Sequence, residues 1–145
     1  MFKRFRRRKS NKLQDDLAHT DAKLALLNAQ LAAQMVKLAG QTSDLAPLMQ
    51  AEEALSATRR YYEYEDTPTE ICMVQVALGD MFVRLGQQQN EKAAFARAKT
   101  AYRTAITLAS MQGNDAMRHE LRDKMKVVES LLGRSQKTPS LFNAA

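Results

Sequence analysis

The chain has 145 residues, 45% hydrophobic and 26% charged, enough for one domain with its own core and no metal or disulfide staple. Its single cysteine, Cys72, excludes an intrachain disulfide and suits a reducing compartment. Seven of its 22 cations fall within residues 1–12, which leaves 15 against 16 acids, so the net charge of +6 belongs to the start of the chain and not to its body.

That start, MFKRFRRRKS, carries Phe2, Lys3, Arg4, Phe5, Arg6, Arg7, Arg8 and Lys9, with Lys12 just beyond. A polar stretch follows, not the apolar core of a secretory leader. No apolar run has the length of a membrane span. Residues 1–10 are expected to be a basic flexible arm, and the protein is expected in the cytoplasm, peripheral at most to the inner face of a membrane.

A first helix is expected from about Asn11 to Ala39, ending at Gly40. Leu17, Leu24, Leu31 and Leu38 recur every seven residues, as the a positions of a heptad. The matching d positions are Leu13, Thr20, Leu27 and Gln34, so half of them are polar. Leu24, Leu27, Leu31, Met35 and Leu38 also fit a 3.6-residue period, and a second stripe runs through Ala22, Leu26, Ala29, Ala33 and Val36. The expectation is that the leucines pack within a bundle and do not form a free zipper.

Ser43 or Asp44 caps a second expected helix, running to about Tyr62 with Pro47 in its first turn. Thr67-Pro68-Thr69-Glu70 reads as a capping box that opens a third helix to Leu85. Its apolar residues lie nearly all round, which predicts a central helix, and Gly86 is expected to end it. A fourth helix, to about Met111, has a stripe of small residues at Ala94, Ala98, Ala101, Ala105 and Ala109 that admits a close neighbour. Gly113-Asn114 separates it from a fifth, with Met117, Leu121, Met125, Val128 and Leu132 on one face. No segment has strand periodicity. Residues 11–132 are expected to form the domain, and 133–145 a disordered tail.

Helices three and four resemble a tetratricopeptide-type repeat, whose pattern is W-x2-L-G-x2-Y, then A-x3-F, then proline. Here the positions read Gln75-x2-Leu78-Gly79-x2-Phe82, Gly86 at the turn, Ala98-x3-Tyr102, then Ala105, Ile106 and Leu108. Gln75 stands where the family has tryptophan, and Ser110 near the family's proline. The two halves lie about seven residues further apart than in a 34-residue repeat. The resemblance covers one degenerate repeat over residues 68–112, with a fainter echo at Ala57-x3-Tyr61. It implies an all-α fold of about five helices, antiparallel hairpins stacked as a short array, with the fifth helix as its cap. It implies structural roles for Leu78, Gly79, Phe82, Gly86, Ala98, Tyr102 and Ala105, and a protein partner.

No catalytic, cofactor or metal residue is expected. His19 and His119 have no companion ligands, Cys72 reads as a small core residue, and the methionines Met73, Met81, Met117 and Met125 read as core filling. Glu63, Glu65, Asp66 and Glu70 precede a helix N-terminus, whose dipole favours them. The sequence therefore predicts a non-catalytic adaptor or scaffold. Its arm cations, with Phe2 and Phe5, would hold an anionic membrane surface. The alternative is a nucleic-acid-associated factor using the same cations on phosphates. Nucleic acid is the less favoured partner because the body adds no basic face, and self-association stays open.

Overall fold

The computed structural model describes the backbone of residues 2–59 and 67–143, and the side chains of residues 11–59 and 68–133. The fold is all-α. Five helices follow in order: α1 (Phe2–Thr42), α2 (Ala46–Ser56), α3 (Thr67–Gln89), α4 (Lys92–Met111) and α5 (Asp115–Asn143). No strand occurs among the described residues. The basic stretch continues the backbone of α1, and α5 passes Leu132. The side chains of the arm and of the tail from residue 134, and the acidic turn from Glu63 to Asp66, lie outside the described residues.

The links from α1 to α2, α3 to α4 and α4 to α5 are two or three residues long and set by local chemistry. Thr42 Oγ1 donates to Leu38 O at 2.9 Å, and Ser43 then turns the chain at φ 54°. Asp44 Oδ1 accepts the Ala46 N–H at 3.0 Å, so Asp44, and not Ser43, takes the first free donor of α2. That helix stops at Ser56, short of the expected Tyr62. The buried Thr58 hydroxyl donates back to Leu55 O at 2.6 Å there.

Gly86 does not end α3. The helix runs on to Gln89, and Asn90 takes the left-handed turn at φ 54°. The Glu91 N–H returns to Gly86 O at 3.0 Å, which closes the end in Schellman fashion. Asparagine tolerates this conformation better than most side-chain-bearing residues, so a glycine was not required. At the end of α4 glycine does this work: Gly113 has φ 66°, and the Asn114 N–H reaches Ala109 O at 2.9 Å. Asn114 Oδ1 then accepts the Met117 N–H at 3.1 Å and so caps α5.

The core lies where α3 meets its neighbours. Helices α3 and α4 are antiparallel: a Cβ on Gly86 would meet Ala94 and Phe95, one on Gly79 would meet Tyr102, and the Cys72 thiol reaches Ala105 O at 3.4 Å. Ala94, Ala98, Ala101, Ala105 and Ala109 are all buried, so the small stripe of α4 is its packing face. Helix α1 runs alongside α3, with Gly40 against Met81 and Ser43 O accepting from Gln89 Nε2 at 2.6 Å.

Two expectations about packing fail. Met73 is exposed, so α3 is not apolar all round in its contacts; Met81, Met117 and Met125 are half-buried. The larger correction is in α1. Its buried residues are Ala25, Ala29, Ala32, Val36 and Ala39, while Leu13, Leu17, Leu24, Leu27, Leu31 and Leu38 are exposed. Small side chains let α1 lie close to α2 and α3. At 100° per residue, the leucines then fall roughly 130° away around the helix.

Candidate interaction surface

The leucine face is continuous. Residues 13, 17, 20, 24, 27, 31, 34 and 38, the a and d positions of the heptad, are all exposed. Leu13 is 61% exposed and Leu38 43%. This spacing keeps one seam along the helix for ~39 Å at 1.5 Å per residue. None of residues 11–24 is buried, so this half of α1 extends beyond the helices that pack on residues 25–39. Monomeric proteins seldom leave so long an apolar strip uncovered.

Along the two edges of the seam the environment differs. Asp16, Lys23, Gln30 and Lys37 line one edge and are all exposed. Asp21, Asn28 and Met35 line the other and are half-exposed. Within residues 11–41, Lys12, Lys23 and Lys37 balance Asp15, Asp16 and Asp21. The seam is therefore apolar with neutral flanks, and the cation-rich stretch lies beyond its N-terminal end.

The repeat-like residues form a second constellation. Leu78, Phe82, Ala98, Tyr102 and Ala105 are buried, and Gly79 lies beneath the Tyr102 ring. Gly86 is also a packing position, since a Cβ there would meet Ala94 Cβ and Phe95 Cε1 at 3.0 Å. The Tyr102 hydroxyl donates to Asp80 Oδ1 at 2.6 Å. Lys124 Nζ donates to both oxygens of Asp80, at 2.8 and 2.9 Å. One carboxylate thus ties α3, α4 and α5 together. Sequence reasoning missed it, because the lysine is 44 residues from the aspartate and no local spacing announces such a pair.

Burial raises the pKa of the Tyr102 phenol, and its hydrogen bond to the Asp80 carboxylate and that charge raise it further. The phenol stays protonated in the folded state at pH values where an unfolded tyrosine, with a pKa of about 10, ionises. The associated stability is complete below about pH 10 and is lost as pH rises above it, by at most about 1.4 kcal/mol per pH unit. Urea unfolding of the wild type from neutral pH to pH 11 should show this fall, and Tyr102→Phe should remove that part of the slope. An identical slope in both proteins would place the phenol outside this network.

Between α2, α3 and α4 lies a shallow cleft of about 130 Å³, lined in part by Leu55, Gln75, Leu78 and Thr104. Arg97 Nη1 donates to both Glu52 oxygens across it, at 2.8 and 3.0 Å. Gln75 is buried on its wall.

Cys72 is buried, and burial raises its thiol pKa, which opposes thiolate chemistry. His19 and His119 lie exposed on α1 and α5. No three His, Cys, Asp or Glu side chains meet as a metal cluster among the described residues, and among them no helix is long and apolar enough to cross a membrane.

No family model matches the chain, and neither a curated protein nor a solved structure matches it. Fold and surface define an all-α protein, with five helices among the described residues, whose longest helix carries an uncovered leucine face.

Proposed function

We propose that the chain is a non-catalytic adaptor, a short helical-hairpin array of the tetratricopeptide type that binds a helical partner through α1. The observation that carries this reading is the uncovered leucine seam, with the cation-rich stretch at its end. The α3–α4 hairpin supports the repeat assignment, since Gly79 lies beneath Tyr102 at the positions the repeat pattern gives to close contact. The arm brings the adaptor to an anionic membrane. Each Lys or Arg near such a surface contributes about 1 kcal/mol, and Phe2 and Phe5 insert beside the headgroups.

The test compares the wild type, a deletion variant and a double-substitution variant on vesicles of neutral and anionic lipid across a salt series. Deleting residues 2–9 should abolish most binding to anionic vesicles while leaving the helical melting transition nearly unchanged. Phe2→Ala with Phe5→Ala should weaken vesicle binding and keep its salt dependence, because every charge remains. Vesicle binding unchanged by the double substitution would remove the inserted rings from the mechanism. An intact arm that ignores vesicles but holds nucleic acid, with affinity falling steeply with salt, would replace the membrane by nucleic acid.

A further inference from the structure

We propose that the leucine seam of α1 is a self-association surface, covered by α1 of a second copy of this chain in antiparallel orientation. The proposal rests on the adaptor reading of the same face and names its occupant.

The repeat length argues first for a helix as the partner. Leucines fill six of the eight a and d positions from Leu13 to Leu38, all four a positions among them, with Thr20 and Gln34 at the other two, and all eight are exposed. A straight helix drifts against such a period by ~20° per heptad, so the seam stays in register only with a helix wound around it. A lipid surface does not require that register. A helix lying on an anionic membrane also carries cations along its polar face, whereas the flanks of this seam are neutral from residue 11 to residue 41.

Charge then selects the orientation. In a parallel pair the edge residue Asp16 would face Asp21 of the partner subunit, like against like. The two cation-rich stretches, seven charges each within residues 1–12, would also run side by side. In an antiparallel pair centred between Leu24 and Leu27, those two leucines face each other's copies. Leu38 faces the partner's Leu13, and Asp16 faces the partner's Lys37 at both ends. The edge bearing Asp16 and Lys37 is the exposed one, so nothing in the body obstructs these pairs. The cost is that Gln34 opposes the partner's Leu17 and Thr20 the partner's Leu31. Parallel pairing would match those polar residues, but only by bringing the two basic stretches together. The antiparallel arrangement places them at opposite ends and leaves each body on its own half of the pair.

Sedimentation of the full chain over a concentration series tests this. The wild type should reach twice its chain mass of 16.3 kDa, and Leu24→Asp with Leu31→Asp should return it to 16.3 kDa. Because both leucines are exposed, the helical signal of that variant should be retained. The charge exchange provides a second measurement that does not depend on the seam leucines. Asp16→Lys should weaken the dimer, Lys37→Asp should weaken it too, and the two together should restore it. A wild type that stays monomeric overturns the proposal, and if its arm still binds vesicles the adaptor reading survives without it. A dimer indifferent to the leucine changes also overturns it. A dimer tightened by Asp16→Lys overturns the antiparallel orientation, since only parallel pairing gains from losing Asp16.

Discussion

Phe82→Ala should cost about 3–5 kcal/mol of unfolding free energy, the range for deleting a fully buried aromatic side chain. Phe82 is 1% exposed in the middle of α3, within the cluster that joins α1 to α5. Removing its ring forfeits the transfer energy of the buried surface and leaves a cavity that neighbouring helices fill only in part. Against a total of about 5–15 kcal/mol for a domain of this kind, the variant would be close to unfolding. Met73→Ala is the control on the same helix: its side chain is 62% exposed, so its effect should stay within about 0.5 kcal/mol. Urea unfolding at one fixed protein concentration separates the two, because a self-associating chain is stabilised by its own concentration. Equal midpoints for both variants would mean that the ring is not part of the core.

The contrast between α1 and α4 shows where the sequence was legible. In α4 one stripe of small residues runs from Ala94 to Ala109 and has no apolar rival, so the packing face follows directly. In α1 two apolar stripes compete, and periodicity cannot say which one turns inward. Side-chain size suggests the leucines, because they bury more surface. The helix instead buries Ala25, Ala29, Ala32, Val36 and Ala39. Tertiary shape decides this. A helix that must lie close to two others gains from small side chains at the contact, and the larger ones are then available to a partner. The heptad was visible in the sequence, but its exposure was not.

Helix ends divide in the same way. Gly113 falls at the expected break between α4 and α5 and takes a left-handed turn there. Gly86 has the same signature, yet it sits inside α3 because its missing Cβ makes room for Ala94 and Phe95. A glycine after an apolar run has two physical uses, a turn or a close approach, and spacing alone does not separate them. The Asp80–Lys124 and Glu52–Arg97 pairs were beyond sequence reasoning for another reason. Each joins helices that only the folded arrangement brings together, and the chain carries many charges that could have paired otherwise.

Gly79→Leu should destabilise the protein by more than Gly79→Ala, and Gly79→Ala itself by about 1–3 kcal/mol through overpacking. Helix propensity predicts the opposite sign, since alanine is favoured over glycine in a helix interior by about 1 kcal/mol. Geometry decides between them. A Cβ on Gly79 would lie 2.5 Å from Tyr102 Cε1, 2.8 Å from Cδ1 and 3.0 Å from Cζ. The ring cannot retreat freely: Tyr102 is buried among the α3–α4 contacts, and its hydroxyl is bound to Asp80 at 2.6 Å. Relief of the clash therefore requires moving the helices apart or giving up that hydrogen bond. Urea unfolding of Gly79→Ala in two backgrounds makes the cause visible. With Tyr102 present the substitution should lower stability. With Tyr102→Ala, which vacates the Cδ1, Cε1 and Cζ positions, the same substitution should raise stability towards the propensity value, a reversal of sign in a double-mutant cycle. If alanine at position 79 stabilises the protein while Tyr102 is intact, α3 and α4 do not approach as closely as the fold requires at this point.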